Sequence, residues 1–378
     1  MFYNVEHTFS IRGREVPKRG ARCSECGLLE SIRVTVALMS VIRLVDGEGK
    51  DMENNKVLVV RSAGRGIDEC PLLAVCRAGL LPSSASYGLD VDWGEVGFCT
   101  VSQMAAVAAV QLAGLNAHVE QRYTLPKTGA CSYMMRMDYC KVLGIEVEEG
   151  FVRHRADGRF VPLTAIPIDE MSADPGGTAD LLTEVVSVNA GFNASASDSL
   201  GMSFCEVIDN IVQHSEALAP GIAGAQWFPN MGYVETCVAD CGIGIARSMA
   251  TNAIYGGLSD DELLEKAFEY ETGQWYGRSC YGSKEVSGGV GLSYSANLVR
   301  AVGGHLWAVS HSSAVHISSA GTTKLDGLYY PGTVISMKIP KTDREVLESD
   351  LFPDGENRPI RYEPGEGIYT EDFSDLLW

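Results

Sequence analysis

The sequence predicts an α/β protein of two domains, and three observations carry that expectation. The chain has 378 residues, 46% apolar and 21% charged, enough to fill two cores and too apolar for a disordered chain. Strand-like and helix-like runs alternate between residues 56 and 150, the signature of a βα-layered unit. A polar stretch at 169–178 carrying Pro175-Gly176-Gly177 then reads as a linker, because that tripeptide resists both helix and strand.

Taken in order, residues 1–50 form an N-terminal extension with eight Lys/Arg against six Asp/Glu and a helix-like stretch at 28–44. A strand is expected at 57–60, an apolar segment at 74–81, and a second strand at 87–91. A helix of Ala, Val and Met follows at 101–112, then a short strand near 117–120 and a helix at 132–143. Beyond the linker the pattern predicts helices at 179–188 and 200–217 and a strand at 233–239 running into a glycine turn. A helix at 293–302 then precedes strands at 304–310 and 333–339. Residues 341–378 hold eleven acidic and four basic side chains and three prolines, and read as an acidic, partly ordered tail. The expected division is therefore 1–50, 51–160, 165–340 and 341–378.

Lys and Arg number 30 against 49 Asp and Glu, a net charge of −19. Nucleic-acid binding is not expected of such a chain, since a duplex binder needs a positive face against the phosphates. No run approaches the roughly 20 apolar residues that span a bilayer, and the first twenty residues lack an apolar signal core. The eleven cysteines are odd in number and scattered through apolar segments, the usage expected of buried free thiols in a reducing, cytoplasmic setting. Cys23 and Cys26 have the spacing of half a zinc site, but no comparable second pair follows.

Three segments of the second half bear chemistry. Glu206, Asn210 and His214 recur every four residues, so on a helix they share one edge while Val207 and Ile211 turn inward. A carboxylate can activate water and an amide oxygen suits Mg2+; a solvated helix edge would show the same spacing. Next, a strand ends on Asp240 followed by Gly242 and Gly244. A carboxylate there can accept a hydrogen bond from an exocyclic amine, and the glycines allow close backbone approach, although an ordinary turn would look alike. Finally Gly288, Gly289 and Gly291, with Leu292, open a helix whose first amides favour phosphate.

In this order, with Gly332-Thr333 after them, the segments closely resemble the GHKL superfamily. That is the ATP-binding domain shared by DNA gyrase, the heat-shock chaperone of the ninety-kilodalton class, sensor histidine kinases and MutL. The resemblance covers about 165–340 and implies a Bergerat-type α/β sandwich with a mixed sheet, holding ATP and Mg2+. By that resemblance Glu206 is catalytic, orienting or deprotonating the attacking group, and Asn210 holds the metal. Asp240 receives the adenine amine, helped by Thr333 through a water. Gly242 and Gly244, with Ile245 beside them, let the chain pass close to the nucleotide. Gly289, Gly291 and Leu292 lie against the phosphates, with His214 nearby. Residues 246–287 become a mobile lid whose Arg278 or Lys284 could reach the terminal phosphate.

Residues 51–160 resemble a STAS-type βα domain, as found in anti-sigma-factor antagonists. The carrying features are the strand ending in Val96-Gly97-Phe98, the helix after it, and the stretch 133–144. Ser102 falls at the position phosphorylated in that family, but the flanking Asp and Gly are missing, and a helix-capping role is the alternative. No helical hairpin bearing a phosphoacceptor His precedes the ATPase-like part, and His118 and His154 lie in strand-like stretches. The expected function is an ATP-binding, ATP-hydrolysing regulator that meets a protein partner through its N-terminal domain, with a homodimer compatible. The alternatives are a Ser/Thr protein kinase of the anti-sigma type, less readily a histidine kinase, or a non-catalytic module that nucleotide merely stabilises.

Overall fold

The computed structural model describes residues 8–11, 56–76, 88–153, 155–156, 158–169, 172–269 and 291–351. The chain is α/β. Its first elements are β1 (Thr8–Ile11), β2 (Lys56–Val59), β3 (Leu89–Asp92), α1 (Val101–Asn116) and β4 (Gln121–Thr124), then α2 (Ala130–Arg136) and α3 (Tyr139–Val142). β2, β3 and β4 pair in parallel, and β1 adds to β4 antiparallel, giving a four-stranded sheet in the order β1-β4-β3-β2. The N-terminal extension thus contributes a strand. The expected helix at 28–44 and most of the segment at 74–81 lie outside the described residues; a short 3-10 turn, Pro71–Ala74, precedes the latter.

α1 is apolar over most of its surface and the polar side chains of Ser102, Gln103 and Gln111 are buried, so it must be covered on nearly every side. It lies between the two sheets, touching the large sheet on one side and the small one on the other. Thr100 caps it reciprocally, its hydroxyl accepting from the Gln103 amide and the Gln103 carboxamide accepting from the Thr100 amide. Where α1 approaches the large sheet most closely stands Gly224, whose absent Cβ would lie 2.8 Å from Val101. The expected helix at 132–143 is broken at Asp138, which adopts φ 60°. The Met137 carbonyl just before it accepts from the Leu163 amide of the next strand at 2.9 Å, so it cannot continue a helix.

The large sheet follows: β5 (Phe160–Ile166), α4 (Pro175–Ala190), α5 (Ala194–His214), β6 (Gly221–Phe228), β7 (Tyr233–Asp240), α6 (Ile245–Ala250), α7 (Asp260–Lys266), α8 (Gly291–Val302), β8 (His305–His311), β9 (Ser313–Ser318), β10 (Gly321–Lys324), β11 (Tyr330–Pro340) and α9 (Glu348–Leu351). Its seven strands run in the order β10-β9-β8-β11-β7-β6-β5. The expectation of a mixed sheet is corrected, because every described neighbour pair is antiparallel. The helical crossover from β7 to β8 does set those two strands parallel in direction. β11, however, inserts between them and runs opposite to both.

The linker expectation is also corrected. Pro175 is the first residue of α4, where its missing amide costs nothing, and the Asp174 carboxylate caps the helix by accepting from Gly177 at 2.9 Å. Gly191, at φ 82°, ends it. One face of the large sheet is covered by α4, α5 and α8 through Leu182, Val186, Phe204, Ile208 and Val299. The opposite face joins α1 in a continuous core, in which Met104 and Val107 meet Cys237, Trp307 and Val334. Each such side chain, wholly withdrawn from water, contributes about 1.5–3 kcal/mol. Val346 and Leu351 pack onto the helix-covered face, so the first part of the acidic tail is anchored; 352–378 lie outside the described residues.

Candidate functional site

Asp240 is the last residue of β7, and its side chain points to the face covered by helices. It is 6% exposed. Its carboxylate accepts from the Gly242 amide at 2.7 Å. Burial pushes its pKa up to about 7, against the opposing effect of hydrogen bonds from the Gly242 and Thr333 backbones. Thr333 stands directly across the strand pair from Asp240. Gly332 precedes it at φ 148°, and a Cβ there would collide with the Asp240 carbonyl.

The turn after Asp240 is clamped from two sides. The Ser215 carbonyl, just past the end of α5, accepts from the Ile243 amide at 2.6 Å, and a Cβ on Gly242 would strike that same carbonyl. Gly244 takes φ 79°, with His311 and Ser310 where its Cβ would be. The Ile245 amide donates to Ser310 Oγ at 2.9 Å, and that hydroxyl lies 3.4 Å from Thr333 Oγ1. His311 Nε2 donates to the Ile243 carbonyl at 2.8 Å. Ser310 and His311 belong to the site although no motif marked them. Their signal was positional, since they are the last two residues of β8 and Ser310 stands directly opposite Thr333.

A second cluster forms farther along α5. The Gly291 amide, first of α8, donates to Glu206 Oε2 at 2.6 Å. Ser203 Oγ contacts the Gly291 carbonyl at 2.7 Å and the Ser295 hydroxyl at 2.5 Å, holding the two helices together. Asn210 is exposed on the same edge of α5, between Glu206 and Ser215. At 1.5 Å rise per residue, Glu206 and Ser215 stand about 14 Å apart along the helix axis. One helix thus connects the Asp240 turn to the start of α8, with Asn210 midway.

The structure therefore places Asp240, Gly242, Gly244, Ile245 and Thr333 together, and Glu206, Gly291 and Leu292 together. Ile245 and Leu292 are partly buried, and both pack between the main core and a small cluster of Ala246, Met249, Tyr255, Leu263 and Ala267 within the expected lid. His214 closes α5. Gly289, Lys284, Arg278, His154 and the Cys23/Cys26 pair lie outside the described residues. Among the described residues no group of three or more His, Cys, Asp or Glu could hold a metal ion.

Ser102 is wholly buried, its hydroxyl 2.7 Å from that of Ser336 and its amide donating to Glu235 at 3.0 Å. A hydroxyl so enclosed is inaccessible to a kinase. No helix among the described residues is long and apolar enough to cross a membrane. No model of a known protein family matches the chain, and no curated protein matches it.

Proposed function

We propose that the chain is a GHKL-type regulator that binds Mg-ATP between the Asp240 turn and the start of α8 and hydrolyses it to reset a partner interaction made through its N-terminal half. The observation that carries the reading is Asp240: a carboxylate buried at a strand end, beside a glycine turn, with a threonine hydroxyl across the sheet. A carboxylate that ties no second layer to the sheet gains little from so costly a burial, whereas an acceptor for a purine amine needs a dry, fixed carboxylate. The donor set also fits the rest of the ligand. The α8 amides suit phosphate, and Asn210 offers a hard oxygen for the metal that screens phosphate charge. Glu206 would orient or deprotonate water, Asn210 would hold the ion, and Ile245 and Leu292 would tie lid movement to the core.

The test is to titrate the protein with ATP and Mg2+, then repeat it with Asp240→Asn; unchanged affinity sinks the nucleotide assignment. Label from γ-labelled ATP then assigns the chemistry. Free phosphate, abolished by Glu206→Ala, marks an ATPase, and label transferred to protein marks a kinase. The non-catalytic reading draws support from Glu206, whose carboxylate caps α8 instead of facing solvent alone. It is the correct reading if Glu206→Ala changes neither turnover nor partner effect.

A further inference from the structure

We infer that Glu206 is a built-in occupant of the phosphate position, which a ligand's phosphoryl group must displace. The inference rests on the nucleotide reading above and specifies how that site selects its ligand. Gly291 opens a helix of twelve residues, so its amide lies at the positive end of the dipole. That amide is bound by a carboxylate oxygen at 2.6 Å, a short, charge-assisted contact. The contact is fixed on both sides. Ser203, on the same helix as Glu206, holds the Gly291 carbonyl and the Ser295 hydroxyl. A Cβ on Gly291 would lie 2.6 Å from the Glu206 Cβ, so the helices meet there with no space for a side chain.

An amide has one hydrogen, so a phosphate oxygen and the Glu206 carboxylate compete for it, and sharing it weakens both contacts. If the carboxylate stays, two anions sit within a few ångströms of one another; if it leaves, it must swing along α5 toward Asn210 and water. Either way wild-type protein spends part of its phosphate affinity on moving Glu206. That cost falls on phosphorylated ligands alone, because the base end at Asp240 is served by different residues. The device penalises phosphate binding until Glu206 has turned to the orientation in which it can act on water.

Glu206→Asp tests the contact separately from the charge, since aspartate keeps the anion but is shorter by one methylene. The ligands are tripolyphosphate, ATP and adenosine, each titrated calorimetrically with Mg2+. Thermal melts confirm folding, and Glu206→Gln serves as a second variant that keeps an acceptor within reach but removes the charge. We expect Glu206→Asp to bind tripolyphosphate and ATP about tenfold more tightly than wild type, with adenosine unchanged. Glu206→Gln, which loses both the charge-assisted grip on the amide and the anion beside the phosphate, should show at least as large a gain. Equal tripolyphosphate affinity in wild type and Glu206→Asp overturns the inference, as does a gain shared by adenosine. If ATP and adenosine bind no variant while tripolyphosphate still tightens, the nucleotide reading fails and the carboxylate contact stands.

Discussion

At one end of β7 stands Asp240; five residues back and on the opposite face stands Glu235, equally withdrawn from water. β11 repeats the arrangement, with Thr333 opposite Asp240 and Lys338 opposite Glu235. The two ends treat buried charge differently. At the Glu235 end the polar contacts hold elements together. Glu235 accepts from the Ser102 amide at the start of α1, while Lys338 donates to the Gly66 and Glu69 carbonyls at 2.7 Å and lies over the Tyr233 and Trp307 rings. At the Asp240 end the carboxylate accepts, among the described residues, from its own turn and the facing strand, and from no other layer. Buried charge that bridges layers is architecture, and buried charge that bridges nothing is a candidate for binding.

If that contrast is right, charge removal should have opposite signs at the two ends. Lys338→Ala leaves Glu235 uncompensated and two carbonyls without a donor, so a loss of about 3–5 kcal/mol in urea unfolding is expected. A loss below about 1 kcal/mol would break the comparison. Gly332→Ala places a Cβ against the Asp240 carbonyl at a backbone angle that L-residues avoid. It should cost about 3 kcal/mol and weaken ATP binding through the displaced Thr333.

Asp240→Asn should act the other way. The folded-state pKa is raised from 3.8 to about 7, so the folded protein binds this proton more tightly than the unfolded chain does. Its contribution to stability is full below pH 3.8 and is lost as pH rises through 7. At pH 8 the neutral variant escapes that cost and should be more stable by on the order of 2 kcal/mol, while losing ATP. Wild-type ATP affinity should itself fall as pH drops below 7 and Asp240 takes up its proton. Melting curves at pH 5 and pH 8 decide this, and a variant less stable than wild type at pH 8 would remove the distinction between the two ends. The smallest effect belongs to Thr100→Ala, which removes the α1 cap near the Glu235 end and should cost about 1 kcal/mol with ATP affinity unchanged.

Much of the site could be read from the sequence because it is written in spacing. Glu206 and Asn210 follow the helical repeat, while Asp240 and its glycines mark a strand end that must turn sharply. What could not be read was whatever depends on pairing. β6 contains Gly221, Gly224 and two alanines, residues poor in strand propensity that are there because α1 and α5 press against the sheet. Nothing in the sequence marks Glu235 and Lys338 as partners; only the register sets them side by side. His305 and His316 share a hydrogen bond at 2.9 Å for the same reason, being brought together by neighbouring strands. The start of α4 was misread because Pro175-Gly176-Gly177 looks like a breaker unless Asp174 is seen to cap it.

The placement of β11 bears on how the chain is made. It supplies Thr333 to one end and Lys338 to the other, and it alone joins β7 to β8. On the ribosome, therefore, the chain must emerge past Tyr330 before the large sheet can close. Until then two apolar strand edges stand open at what will become its centre. Binding site and interlayer anchor would appear in a single late event, which makes nascent chains released before residue 330 the form most exposed to aggregation and most in need of a chaperone.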